Sequence, residues 1–194
     1  MPKLGMEPIR KTALIKATIA EIGRQGTLDV TVGQIARRAG MSSALAHHYF
    51  GSKEQIFLAA MRHILARYGA AVRARLARAE TPLARVHAII DASFSPEQFD
   101  EEVISAWLLF YVQAQTSPEA ARLLRVYAAR LHSNLVHALG PLVPADEARA
   151  IARTLAALID GFYIRTALPT GAPGPDETKQ MLRTTLAALL EGRG

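Results

Sequence analysis

Residues 31–54, TVGQIARRAGMSSALAHHYFGSKE, leave the chain few ways to fold. Val32, Ile35, Ala36 and Ala39 recur at the spacing that places four apolar groups on one helical face, and Thr31 stands before them where an N-cap belongs. Gly40 stops that helix. Met41 is apolar, and Ser42 is a second capping residue that opens a helix over residues 43–50. Two short helices joined by a glycine turn of about three to four residues make a helix-turn-helix, whose second helix enters the DNA major groove.

The rest of the chain is also helical in pattern, and strand signals are nearly absent. Ile15, Ile19 and Ile22 share a face in residues 8–25, with Pro8 at an N1-like position and Gly26 as a stop. Ser52 can cap a long helix over 53–78, with Ile56, Ala59, Ala60, His63, Ile64 and Ala71 along one side. Thr81-Pro82, Ser95-Pro96 and Ser117-Pro118 each set a capping hydroxyl before a proline, which predicts helices near 82–94, 97–115 and 118–139. Gly140, Pro141 and Pro144 interrupt the pattern, and Asp146 and Glu147 suit the positive end of a helix over 145–168. A proline–glycine loop at 169–175 precedes a last helix to about 190. The expected fold is all-α, about nine helices, divided into a DNA-binding domain at 1–52 and a larger body at 53–194.

Composition narrows the classes. The chain has 194 residues, half of them apolar, enough for a sizeable core, yet no apolar run is long enough to span a membrane. Without cysteine there is no thiolate metal site or disulfide, and His47 and His48 diverge on a helix with no third ligand nearby, so neither metal nor cofactor is expected. The N-terminal segment lacks a secretory core, which points to the cytoplasm. Residues 1–85 hold 14 Lys and Arg against 5 Asp and Glu, while the remainder holds 9 against 12. A basic N-terminal part beside a mildly acidic body is expected when only one part meets a polyanion.

On the helix at 43–50, positions 43, 44, 47 and 48 share a surface. Ser43 and His47 can hydrogen-bond base edges, Ala44 can pack on a thymine methyl, and Leu45 can do so from the flank, with Ser42 and His48 completing the DNA-facing set. The Thr31 hydroxyl and the amides after it can grip a phosphate. Thr31, Ile35, Ala36, Ala39-Gly40, Ser42, His48-Tyr49-Phe50 and Lys53-Glu54 together resemble the TetR family of bacterial one-component repressors. The resemblance implies phosphate contacts for Tyr49 and Lys53. Ala44, Ala46 and His47 stand where many members carry Gly, a large aliphatic and Tyr, so the family implies no particular operator sequence.

Trp107, Phe110 and Tyr111 fall at i, i+3 and i+4 on one helix face, and Phe94, Tyr127, Phe162 and Tyr163 can converge on them. A stripe at helical spacing is more often plain core than a ligand cage. AGMSSALAHHYFGSK, AWLLFY and AALIDGFYIR resemble the choline-responsive branch of the family, regulators of glycine-betaine synthesis. That branch implies a small-molecule effector with a quaternary ammonium, held by aromatic faces and a carboxylate, for which Asp91 and Asp160 are the candidates. The family also implies a homodimer through the last two helices, whose apolar residues include Ile151, Leu155, Leu158, Met181, Leu182, Leu186 and Leu189. The partners expected are thus a double-stranded DNA operator, the effector and a second copy, with no membrane. An enzyme is disfavoured by the absence of HExxH, GxSxG or a phosphate loop. A helical protein binding polyanions without sequence preference is the alternative of another class.

Overall fold

The computed structural model describes residues 5–168 and 171–191. Residues 1–4, and Pro169 and Thr170 of the expected proline–glycine loop, lie outside the described residues. Among those described there are nine helices and no strand: α1 Met6–Gln25, α2 Val32–Arg38, α3 Ser43–Phe50, α4 Lys53–Leu76, α5 Pro82–Ser93, α6 Glu101–Gln113, α7 Pro118–Leu139, α8 Ala145–Thr166 and α9 Pro175–Glu191.

Capping explains most boundaries. Thr31 Oγ1 accepts the Gln34 N–H at 3.1 Å while Gln34 Oε1 accepts the Thr31 N–H at 2.7 Å, a reciprocal capping box at the start of α2. Ser42, Ser52, Thr81 and Ser117 cap α3, α4, α5 and α7 in the same sense with single hydroxyls. Replacing Thr31 with Ala is expected to cost about 1 kcal/mol, read as a lower urea midpoint at unchanged m-value.

The helix expected from residue 97 begins later, at Glu101. Asp100 outcompetes Ser95-Pro96 as its cap, since its carboxylate takes the N–H groups of both Glu102 and Val103. Residues 95–99 instead form a turn in which the Ser95 carbonyl accepts from Gln98 and Phe99.

Helices α1, α2 and α3 pack as a trio on the N-terminal end of α4, and one apolar core continues from the trio into the body. Within the body α8 packs on α6, α7 and α9, and α5 bridges α4, α7 and α9. The trio is joined to the body at two places rather than through α4 alone, because α1 also lies along α6. At Gly23 the approach is so close that a Cβ there would stand 2.5 Å from the Glu102 Cα. Beside it Glu21, only 6% exposed, holds Arg24 at 2.9 Å and Arg38 at 3.2 Å, and Arg38 reaches Glu102 at 3.8 Å.

Candidate nucleic-acid interface and effector site

The start of α3 is fixed by the Ser42 hydroxyl, which accepts from the Leu45 N–H at 3.2 Å, and by the left-handed turn at Gly40, with φ 68°. The helix is seated by Ala46, which is fully buried; a side chain this small lets α3 lie close against α2 and α4. The opposite face is left open: Ser43, Ala44, His47 and His48 are exposed, with Leu45 and Tyr49 half-buried at its flanks. His47 Nδ1 lies 2.9 Å from the Gly51 carbonyl, which orients the ring. Lys11 Nζ stands 5.8 Å from the centre of the Tyr49 ring, and Lys53 Nζ donates to the Leu28 carbonyl at 3.0 Å. The helix therefore offers hydroxyl, methyl and imidazole groups on one face, with ammonium groups beside it.

The aromatic residues converge in the body. Trp107 and Tyr127 lie 4.7 Å apart between ring centres, with Tyr111, Phe110 and Tyr163 all within 6.0 Å of the indole. Phe94 joins through Tyr163, on which it stacks at 5.7 Å. Asp160, on α8, accepts from the hydroxyls of Tyr111 at 3.0 Å and Tyr127 at 3.1 Å. No cation pairs with Asp160 among the described residues. Its carboxyl is pushed above the ordinary range because burial outweighs the help of the two hydroxyls. Burial also raises the tyrosines, Tyr68 to about 12 and Tyr111, Tyr127 and Tyr163 well above their ordinary value, so all four remain hydroxyl donors at neutral pH. The Trp107 indole N–H is buried without a hydrogen-bond partner among the described residues.

Six of the seven residues expected around an effector are brought together: Phe94, Trp107, Phe110, Tyr111, Tyr127 and Asp160. Asp91 is not. Its carboxylate is engaged by Arg183 of α9 at 2.6 Å, in a separate contact between α5 and α9. Tyr68 was not foreseen; its hydroxyl lies 3.1 Å from Ser93 Oγ and its ring 5.9 Å from Tyr127. Its position four residues after Ile64 on the apolar stripe of α4 is the signal that marks it as inward. Tyr68 and Tyr127 form the inner wall of a groove of about 600 Å³ between α4 and α7, which Arg62, Arg73 and Arg130 also line.

The apolar residues expected to meet a second copy are divided. Ile151, Leu155, Leu182 and Leu186 are buried within the single chain, because α8 is central to the body and α9 covers it, so they are corrected to core. Met181, 46% exposed, and Leu189 face outward, with Leu158 half-buried. On α8 the outward row is Ala150, Thr154, Ala157 and Ile164, and Leu168 in the turn just after the helix is exposed as well.

Residues 14–60 match the bacterial regulatory proteins of the tetR family, and residues 82–191 match the family described as BetI-type transcriptional repressor, C-terminal. The HTH-type transcriptional regulator BetI of Brucella anthropi is 52% identical over 192 residues, which cover 99% of each chain. The regulator of the same description from Rhizobium meliloti is 53% identical over 168 residues, 87% of this chain and 83% of its own. A transcriptional regulator from Pseudomonas aeruginosa superposes with a TM-score of 0.83 at 26% identity, covering 98% of this chain and 94% of that one. One from Saccharomonospora viridis, crystallised in complex with choline, gives 0.80 at 22% identity over 91% and 95%, a likeness of fold. The helix-turn-helix, the helical body and these relatives agree: the chain belongs to the TetR family of helix-turn-helix transcriptional regulators, in its BetI-type branch, and is a regulator rather than an enzyme.

Proposed function

We propose that the chain is a dimeric, cytoplasmic repressor of choline-to-glycine-betaine genes that leaves its operator when choline binds. Residues 1–52 serve as the DNA-binding unit and 53–194 as the effector and dimer unit. The observation that carries the effector is Asp160: an acid partnered by two tyrosine hydroxyls, beside aromatic rings, with no paired cation among the described residues. A quaternary ammonium has no N–H to donate, so aromatic faces at about 0.5 to 2 kcal/mol each and a carboxylate without a paired cation are what recognise it. The regulator of the same fold from Saccharomonospora viridis, crystallised in complex with choline, supports choline as the ligand.

The outward rows of α8 and α9 are the surfaces through which two copies would pair, setting two recognition helices for two half-sites of a palindrome about 34 to 36 Å apart. Ser43, Ala44, Leu45 and His47 would read bases, and Thr31, Ser42, His48, Tyr49 and Lys53 would hold the backbone. Because α1 meets both α4 and α6, movement of either helix at the aromatic cluster reorients the trio. By linkage choline is expected to weaken operator binding about 5- to 150-fold, measured by fluorescence titration of the chain's own upstream DNA. Unchanged operator affinity at saturating choline would remove choline and leave DNA regulation intact. His47→Ala, an exposed change that gives up the bond to the Gly51 carbonyl, is expected to weaken operator binding about tenfold, to cost at most about 1 kcal/mol of stability and to leave scrambled-DNA binding unchanged. Equal affinity of the parent protein for both DNAs would instead mark nonspecific polyanion binding.

A second reading, a regulator responding to a different small molecule, has the arginines of the α4–α7 groove in its favour. Three guanidinium groups around an apolar floor favour an anionic amphiphile, so octanoate in the same titration separates the two effectors.

A further inference from the structure

A second cleft, of about 550 Å³, lies on the other side of α4 from the arginine-lined groove, at the joint between trio and body. One wall is basic: Lys16 from α1 and His63 and Arg67 from α4. The facing wall is acidic, with Glu97 and Asp100 from the turn before α6 on either side of Gln98 and Glu102 from the first turn of α6. No ion pair within 4.0 Å joins the two walls among the described residues, although opposite charges face each other across the opening. Gln98 is 3% exposed, and its side-chain carbonyl oxygen, buried at the cleft, has no hydrogen-bond donor among the described residues. A buried acceptor left empty is costly, so it marks where a donor is missing.

These features select a ligand class. A simple anion meets the lysine and arginine but is repelled by Glu97 and Asp100, and a simple cation meets the reverse. A quaternary ammonium supplies no N–H for Gln98. We infer that this cleft binds a small zwitterion with a primary ammonium and a carboxylate, an α-amino acid in chemical class. Its carboxylate sits on Lys16 and Arg67, and its ammonium donates to Gln98 and faces Glu97 and Asp100. The chemistry is the opposite of that at Asp160, where N–H donors are absent from the proposed ligand. Because its walls come from α1, α4, the α5–α6 turn and the start of α6, an occupant ties the DNA-binding trio to the body and shifts operator affinity by linkage.

The test is isothermal titration of the full chain with each of the proteinogenic L-amino acids, and with acetate and methylammonium as the two half-ligands. At least one amino acid is expected to bind one per chain, with each half-ligand at least about tenfold weaker. Lys16→Ala and Arg67→Ala are each expected to weaken that amino acid about tenfold, with Lys16→Arg restoring most of it, while Asp160→Asn leaves it unchanged. Both basic residues are exposed, so these variants keep the fold, checked by circular dichroism. Absence of binding by every amino acid at millimolar concentration overturns the inference, as does acetate binding as tightly as the amino acid. Loss of amino-acid binding in Asp160→Asn but not in Lys16→Ala places the ligand at the aromatic cluster and also overturns it. Failure of choline to bind has no bearing on these outcomes.

Discussion

Gly23→Ala is expected to lower the unfolding midpoint by about 3–10 °C and to shrink the response of operator binding to effector. The added Cβ would stand 2.5 Å from the Glu102 Cα and 2.6 Å from its Cβ. The clash is with backbone, which no rotamer change relieves, so α1 and α6 must separate. Overpacking of this kind costs about 1–3 kcal/mol, and a chain of this size loses about 2–4 °C per kcal/mol. Separation also draws Arg38 away from Glu102 and loosens the joint around Glu21. Gly69→Ala in α4 is the control, since its Cβ meets only the end of the Arg73 side chain at 3.3 Å and alanine favours a helix. Scanning calorimetry of both variants, followed by operator titration with and without choline, separates the effects. A midpoint within 1 °C of the parent, on the order of the ±0.5 kcal/mol of an inert substitution, would show that α1 and α6 do not press at Gly23.

What could be read from the residues beforehand was what is decided locally. The hydroxyl caps at Thr31, Ser42, Ser52, Thr81 and Ser117 act within three residues of themselves, and each stands where its sequence context places it. The start of α6 was misplaced because Ser95 and Asp100 are both competent caps, and the winner depends on the turn that brings Gln98 and Phe99 onto the Ser95 carbonyl. The same limit applies to the acids. Asp91 and Asp160 both interrupt apolar helical runs, and only packing sends one to Arg183 and the other to two tyrosines. Periodicity likewise shows that α8 and α9 are rich in apolar groups. It cannot say that Leu155 and Leu186 face their own chain while Met181 faces outward. Gly23 carries no local signal at all, since its meaning is the neighbouring helix.

Asp160→Asn is expected to weaken choline binding at least about 30-fold while leaving the effector-free protein as stable as the parent or more so at neutral pH. Removing one partner of a desolvated charge pair costs about 2 kcal/mol or more, which sets the fold-change. The amide oxygen can still accept from Tyr111 and Tyr127, so the hydroxyls keep a partner. What disappears is the burden of an ionised group under burial. The folded protein holds the Asp160 carboxyl above its ordinary value of 3.8, so the acid's contribution to stability is fully present below that value. It is lost as pH rises through the raised value. The variant has no such titration. Its stability relative to the parent is therefore expected to grow from the acid range toward neutrality and to level off above the raised value, followed by urea unfolding across pH. A carboxylate kept for structure would give the reverse, with the variant weaker at neutral pH and choline binding reduced only in proportion to lost fold. Gain of stability with loss of choline binding is the pattern of a charge held for a ligand, since the cost it imposes on the empty protein is offset only when a cation arrives.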